Sequence, residues 1–150
     1  MTEQSLKYTA GLLLIASHLG LLIYTIILFF QNGFNMEELT TVMAIITPVF
    51  AGYTTSIVAF IIKNAKSGVD TTQIVNWPYI VLTLTLPIIL LTLLATAISL
   101  KAHNHVFQNF EDFKRFLLLG ESLFASYVGM FIYSLFEKQA PQGIVTNEPR

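Results

Sequence analysis

The chain has 150 residues, 54% apolar and 11% charged, with eight basic residues against nine acidic ones and no cysteine. A soluble domain carries about 25% charged residues, so this composition excludes an ordinary soluble fold and points to an all-α integral membrane protein. The nearly cancelled charge argues against a nucleic-acid partner. The lack of cysteine removes disulfides, thiolate nucleophiles and cysteine-based zinc sites.

The first candidate span, about 8–30, contains no Asp, Glu, Lys or Arg and has His18 near its centre. It is longer than a signal-peptide core, Lys7 is the one basic residue before it, and no small-residue cleavage site follows Phe30. The mature protein is therefore expected to keep it. Asn32-Gly33 can supply a left-handed helix cap. Asn35 and Glu38 have the spacing of a capping box opening the second span, 39–62, and Glu37 favours the same positive helix end. Pro48 and Gly52 lie inside that span as hinge candidates, and Lys63 falls just past it.

Asn76 can cap the third span, 77–100, with Trp77 at the interface, Pro78 in the tolerant first turn and Lys101 beyond the end. Pro87 is its hinge candidate. Phe107, Phe110, Phe113 and Phe116 then recur every three residues, with Glu111 and Arg115 four apart. This pattern predicts a short amphipathic segment lying in the membrane interface before helix 4. The fourth span, 116–136, holds one charge, Glu121. Residues 137–150 read as a polar cytoplasmic tail.

Spans of 21 to 24 residues cover a hydrocarbon core of about 30 Å at about 1.5 Å per residue. Backbone in lipid must satisfy its own hydrogen bonds, so the spans are helices. Residues 1–136 are expected to form one four-transmembrane-helix, up-down-up-down bundle. Each helix would lie beside its successor, and helices 1 and 4 would meet where the bundle closes. Lys7, Lys63, Lys66, Lys138 and Arg150 fall on the side of the termini, against Lys101, Lys114 and Arg115 opposite. Five against three predicts cytoplasmic termini in a cell or inner membrane.

Two stripes of hydroxyls run at seven-residue spacing, Thr40, Thr47 and Thr54 on helix 2 and Thr85, Thr92 and Ser99 on helix 3, with Thr96 widening the second. They either bond back to carbonyls four residues earlier, or face each other or an oligomer axis and line a hydrated path. His18 and Glu121 are the two ionisable groups inside the spans. A charge at mid-bilayer costs about 2.5–3.5 kcal/mol on insertion scales, so both should face protein or water. Their expected depths differ by about 6–9 Å, which leaves room for Tyr24, Ser122 or a water between them. The alternatives are a neutral imidazole bonded to a neighbouring helix and an acid snorkelling near Lys114. Ala16 and Gly20, and Glu121, Ala125 and Gly129, form close-packing faces suited to self-association.

His103-Asn104-His105 lies near Glu111 and Asp112, but a metal would need four convergent ligands. A solvated turn is expected there, and no metal or cofactor. The nucleotide-binding, G-x-S-x-G and H-E-x-x-H patterns are absent, and a Ser122–His18 dyad would lack an oxyanion hole. No enzyme activity is expected. Four spans with one membrane-embedded Glu resemble the architecture of the small multidrug resistance exporters. Their Glu lies in helix 1, whereas this chain has His18 there and Glu121 in helix 4, so no residue roles carry over.

The function expected from sequence is a small polytopic membrane protein that self-associates in the lipid bilayer and forms or regulates an ion or small-solute pore. The alternative is an accessory anchor or sensor presenting its cytoplasmic loop and tail to a soluble partner. A third reading is a proton-coupled transporter or intramembrane enzyme.

Overall fold

The computed structural model describes residues 1–67, 74–107 and 109–136. The tail 137–150, with Lys138 and Arg150, lies outside the described residues, as do the side chains of Lys63 and Lys66. The fold is all-helical, with α1 (Glu3–Phe30), α2 (Met36–Ser67), α3 (Trp77–Ala102) and α4 (Phe110–Phe136). Glu3–Phe30, Met36–Ile62 and Trp77–Ala102 are long and apolar enough to cross a membrane.

The helices run past the apolar spans because local hydrogen bonding, not hydropathy, sets their ends. The Thr2 hydroxyl accepts from the Ser5 N–H at 3.2 Å, and Lys7 pairs with Glu3 one turn on, so α1 starts before its apolar stretch. Lys63 lies inside α2 and Lys101 inside the last turn of α3. At α2 the capping box is formed reciprocally: Glu38 N–H donates to Asn35 Oδ1 at 2.9 Å and Asn35 N–H to Glu38 Oε2 at 3.0 Å. Asn76 occupies the N-cap of α3, but its side chain makes no capping bond.

The expected interfacial segment is instead the start of α4. Asn109 Oδ1 accepts from the Asp112 N–H at 2.8 Å and opens the helix at Phe110. Phe113 is fully buried, and Phe107 packs against both Phe113 and Phe116. The phenylalanine ladder therefore closes one end of the bundle. Glu111 pairs with Lys114, at 3.0 Å, where Arg115 was the expected partner.

α1 and α3 end in the same way. Asn32 (φ 62°) and Asn104 (φ 55°) take the left-handed conformation. Gly33 N–H then reaches the Leu28 carbonyl at 2.9 Å, and His105 N–H the Leu100 carbonyl at 3.0 Å, the two-bond cap that satisfies orphan carbonyls. A Cβ on Gly33 would lie 2.7 Å from Ala102 Cβ, so this close approach of α1 to α3 requires glycine.

The order of helices around the bundle differs from that expected. α1 packs against α2 and α3, and α4 packs against α2 and α3, which leaves α1/α4 and α2/α3 as diagonals. The short turns at 31–35 and 103–109 keep α1 beside α2 and α3 beside α4. Nine residues separate α2 from α3, a reach of about 30 Å when extended, so this connection need not join neighbours. Tyr53 bonds to Leu14, and Tyr127 to Thr83, so each hairpin is antiparallel. The end carrying the two turns is called the hairpin end, and the opposite one the terminal end.

Candidate functional site

His18 and Glu121 meet across the α1/α4 diagonal. His18 Nε2 lies 3.9 Å from Glu121 Oε1, with the side chains 0% and 3% exposed. A diagonal pair can touch when both helices aim those positions at the bundle axis, away from the apolar outer surface. Their depths match. His18 is twelve residues from the end of α1 and Glu121 eleven from the start of α4, about 18 and 17 Å from the hairpin end. The larger offset expected from sequence came from starting helix 4 at Phe116, six residues late.

Three aromatic rings enclose the imidazole. Phe50 stacks on it with centroids 5.3 Å apart, Phe124 lies at 5.3 Å and Tyr53 edge-on at 5.7 Å. Neither imidazole nitrogen and neither carboxyl oxygen has a hydrogen-bond partner among the described residues, although the Ile46 backbone lies beside the ring. A separation of 3.9 Å exceeds direct hydrogen-bond length. Imidazole with carboxylic acid, and imidazolium with carboxylate, are both net neutral. A proton can pass between the two without charging the core. Removing that proton leaves an unpaired carboxylate in an apolar interior, at a cost of several kcal/mol.

Tyr24 and Ser122 do not bridge the pair. Tyr24 lines a groove between α1 and α3, and the exposed Ser122 hydroxyl donates to its own helix at Leu118. That orientation also dismantles the Ser122–His18 dyad. Ala16, Gly20 and Gly129 are exposed, the two glycines with open space where a Cβ would stand.

The hydroxyl stripes do not face each other, because most of their residues point away from the bundle interior. Thr40, Thr47, Thr85, Thr92 and Thr96 are exposed and Ser99 half-buried. Thr40, Thr92 and Thr96 donate to carbonyls four residues earlier at 2.7–2.8 Å, which is the first of the two readings. Thr54 turns inward, its hydroxyl buried without a partner.

The hinge candidates separate as well. Pro48 and Gly52 are exposed and Pro87 is fully buried. Pro87 lacks the N–H that would bond to the Thr83 carbonyl, and Tyr127 Oη donates to that carbonyl at 2.9 Å in its place. Sequence reasoning missed Tyr127 and the three rings around His18. The one available signal was spacing: Phe50 and Tyr53 are three apart on α2, and Phe124 is three after Glu121.

Lys101 and Glu38 form a further ion pair, at 3.3 Å, linking α3 to α2 at the hairpin end. His103 and His105 stack with centroids 6.0 Å apart, and His103 Nδ1 lies 2.8 Å from the Ser99 carbonyl. No cluster of three or more metal-ligating side chains occurs among the described residues. Comparison with known protein families, with curated proteins and with solved structures gives no significant match.

Proposed function

We propose that this is a four-span integral membrane protein that binds and releases a proton at the His18–Glu121 couple and uses that event to move, or to gate, an ion or small solute. The observation that carries the reading is the couple itself: an acid and an imidazole with no hydrogen-bond partner among the described residues, 3.9 Å apart at the axis of a bundle with three apolar spans. Intramembrane ionisable residues of this kind mark proton relays and transport pathways. The fourth span is supported by Leu119 and Met130, 61% and 72% exposed on α4, since large apolar side chains facing outward suit lipid. The excess of basic residues on the terminal side supports cytoplasmic termini.

A second reading, a pore built from several copies, is favoured by the outward hydroxyls and by open space at Gly20 and Gly129, which let helices of neighbouring chains approach closely. The accessory-anchor alternative rests on a loop and a tail that lie largely outside the described residues.

The test is proton movement in liposomes carrying a trapped pH dye, driven by a potassium diffusion potential. Wild-type protein is expected to move protons, and Glu121→Gln to lose at least tenfold of that rate while keeping its helical content and its elution volume. Wild-type liposomes that move no protons, together with a Glu121 carboxyl infrared band that stays unchanged in detergent from pH 5 to 9, would end the proton reading.

A further inference from the structure

We propose that the His18–Glu121 couple exchanges its proton with the terminal end of the bundle alone, along a file of water running past Tyr53, Thr54 and Thr83. This rests on the couple being a proton site and adds the direction from which the proton comes.

The unpartnered buried polar atoms carry the inference. Among the described residues, besides the couple, they belong to Thr54, Thr83 and Gln4. Counted from the hairpin end at 1.5 Å per residue, the couple lies at about 17 Å, Thr54 and Thr83 at about 27–29 Å and Gln4 at about 39 Å. All of them stand level with the couple or on its terminal side. In a folded protein such atoms are satisfied by ordered water, which needs two to four polar partners. Tyr53 supplies the next one. Its ring touches His18 and its hydroxyl donates to the Leu14 carbonyl at 3.2 Å, one turn of α1 closer to the terminal end, with its lone pairs still free to accept. Tyr127 Oη stands beside the Thr83 backbone in the same way.

Among the described residues the hairpin half offers no such path. Its buried polar groups are Thr25, whose hydroxyl donates to Leu21 at 2.9 Å, and Lys101, held by Glu38. Between Thr25 and the couple lie Leu21, Val42, Ile46, Leu94 and Leu117, each 4% exposed or less. The described titratable group against the couple is Tyr53 from α2; Tyr127 from α4 is buried nearer the terminal end, beside Thr83. From α3 the interior receives Thr83 and, at the far end, Lys101. In the relay each water accepts one proton and donates another, so Glu121 gains or loses a proton and no heavy atom moves.

The chain has no cysteine to protect and can be reconstituted unmodified, in liposomes with all molecules inserted one way. The Glu121 carboxyl infrared band, assigned by difference from Glu121→Gln, is followed after a pH jump applied to the outer buffer. With the terminal end outward the band is expected to respond at least tenfold faster than with the hairpin end outward. Thr54→Val and Thr83→Val, which remove a hydroxyl at constant shape, are each expected to slow the faster response at least threefold, and Thr25→Val to leave it unchanged. Equal rates from the two faces, or valine variants as fast as wild type, would overturn one-sided access while leaving the proton site intact. A band that never responds, in detergent as well as in liposomes, removes the proton site and the access route together.

Discussion

The two ends of the bundle are built from different kinds of contact. At the hairpin end, two asparagine-centred caps, an ion pair between α2 and α3, a glycine contact and a cluster of phenylalanines lock all four helices together. Toward the terminal end, the interior includes Ala10, Gly11, two tyrosine hydroxyls bonded to neighbouring backbones and two threonine hydroxyls bonded to nothing described. The described backbone links there are the single bridge between Thr2 and Ile74 and the bond from Val75 N–H to the Met1 carbonyl. Apolar packing and satisfied polar groups make a rigid anchor, whereas small residues and unpaired hydroxyls leave room for water. The couple sits at the junction of the two regimes.

The largest effect expected from this contrast is at Phe113. It is fully buried and packs against Phe34, Phe107 and Phe110, so Phe113→Ala should destabilise the bundle by about 3–5 kcal/mol. Denaturant titration in detergent micelles measures this. A loss below about 1 kcal/mol would mean that the hairpin end is not the anchor. A smaller effect is expected at Tyr127, on the other side of the couple. Tyr127→Phe strands the Thr83 carbonyl that Pro87 leaves free, and a buried unpaired acceptor costs about 1–3 kcal/mol. The same titration should show that loss, together with faster amide exchange in the turn of α3 around Pro87. An unchanged turn would mean that the proline distortion is satisfied by other means.

Features governed by near neighbours in sequence were legible before any coordinates. The absence of charge located three apolar spans, and Asn35 with Glu38 three residues on announced a capping box that forms in both directions. His18 and Glu121 were legible because each is expensive in lipid, and expense alone says that it must be sheltered. The order of the helices was not legible, since nine residues between α2 and α3 are long enough to join either neighbours or diagonal partners. The charges at Glu111, Asp112, Lys114 and Arg115 also hid the start of α4, because hydropathy places a boundary at the first apolar run while the helix begins at its cap on Asn109. The aromatic shell around His18 was hidden for a further reason. In a chain that is 54% apolar, a phenylalanine facing lipid and one facing the core leave the same mark.

The finest distinction between the two ends lies at Thr83, whose hydroxyl is buried on α3 with no partner among the described residues. In a dry interior an unpaired hydroxyl carries its full desolvation penalty, and Thr83→Val would stabilise the protein by about 1–2 kcal/mol. In a hydrated interior the hydroxyl already has water as a partner. The substitution then exchanges one bond to solvent for added apolar contact, and stability should change by less than about 0.5 kcal/mol. The second outcome is the one expected here, because the unpaired Thr54 hydroxyl stands at the same depth, the acid and the imidazole lie at the border of that half, and all of them can share the same file of water. Thr25→Val gives the scale for the comparison. Its hydroxyl is satisfied by its own helix, so any change it produces measures the loss of that local bond. A clear gain at Thr83 would make the terminal half as dry as the hairpin half, and the difference between the ends would then be one of packing alone.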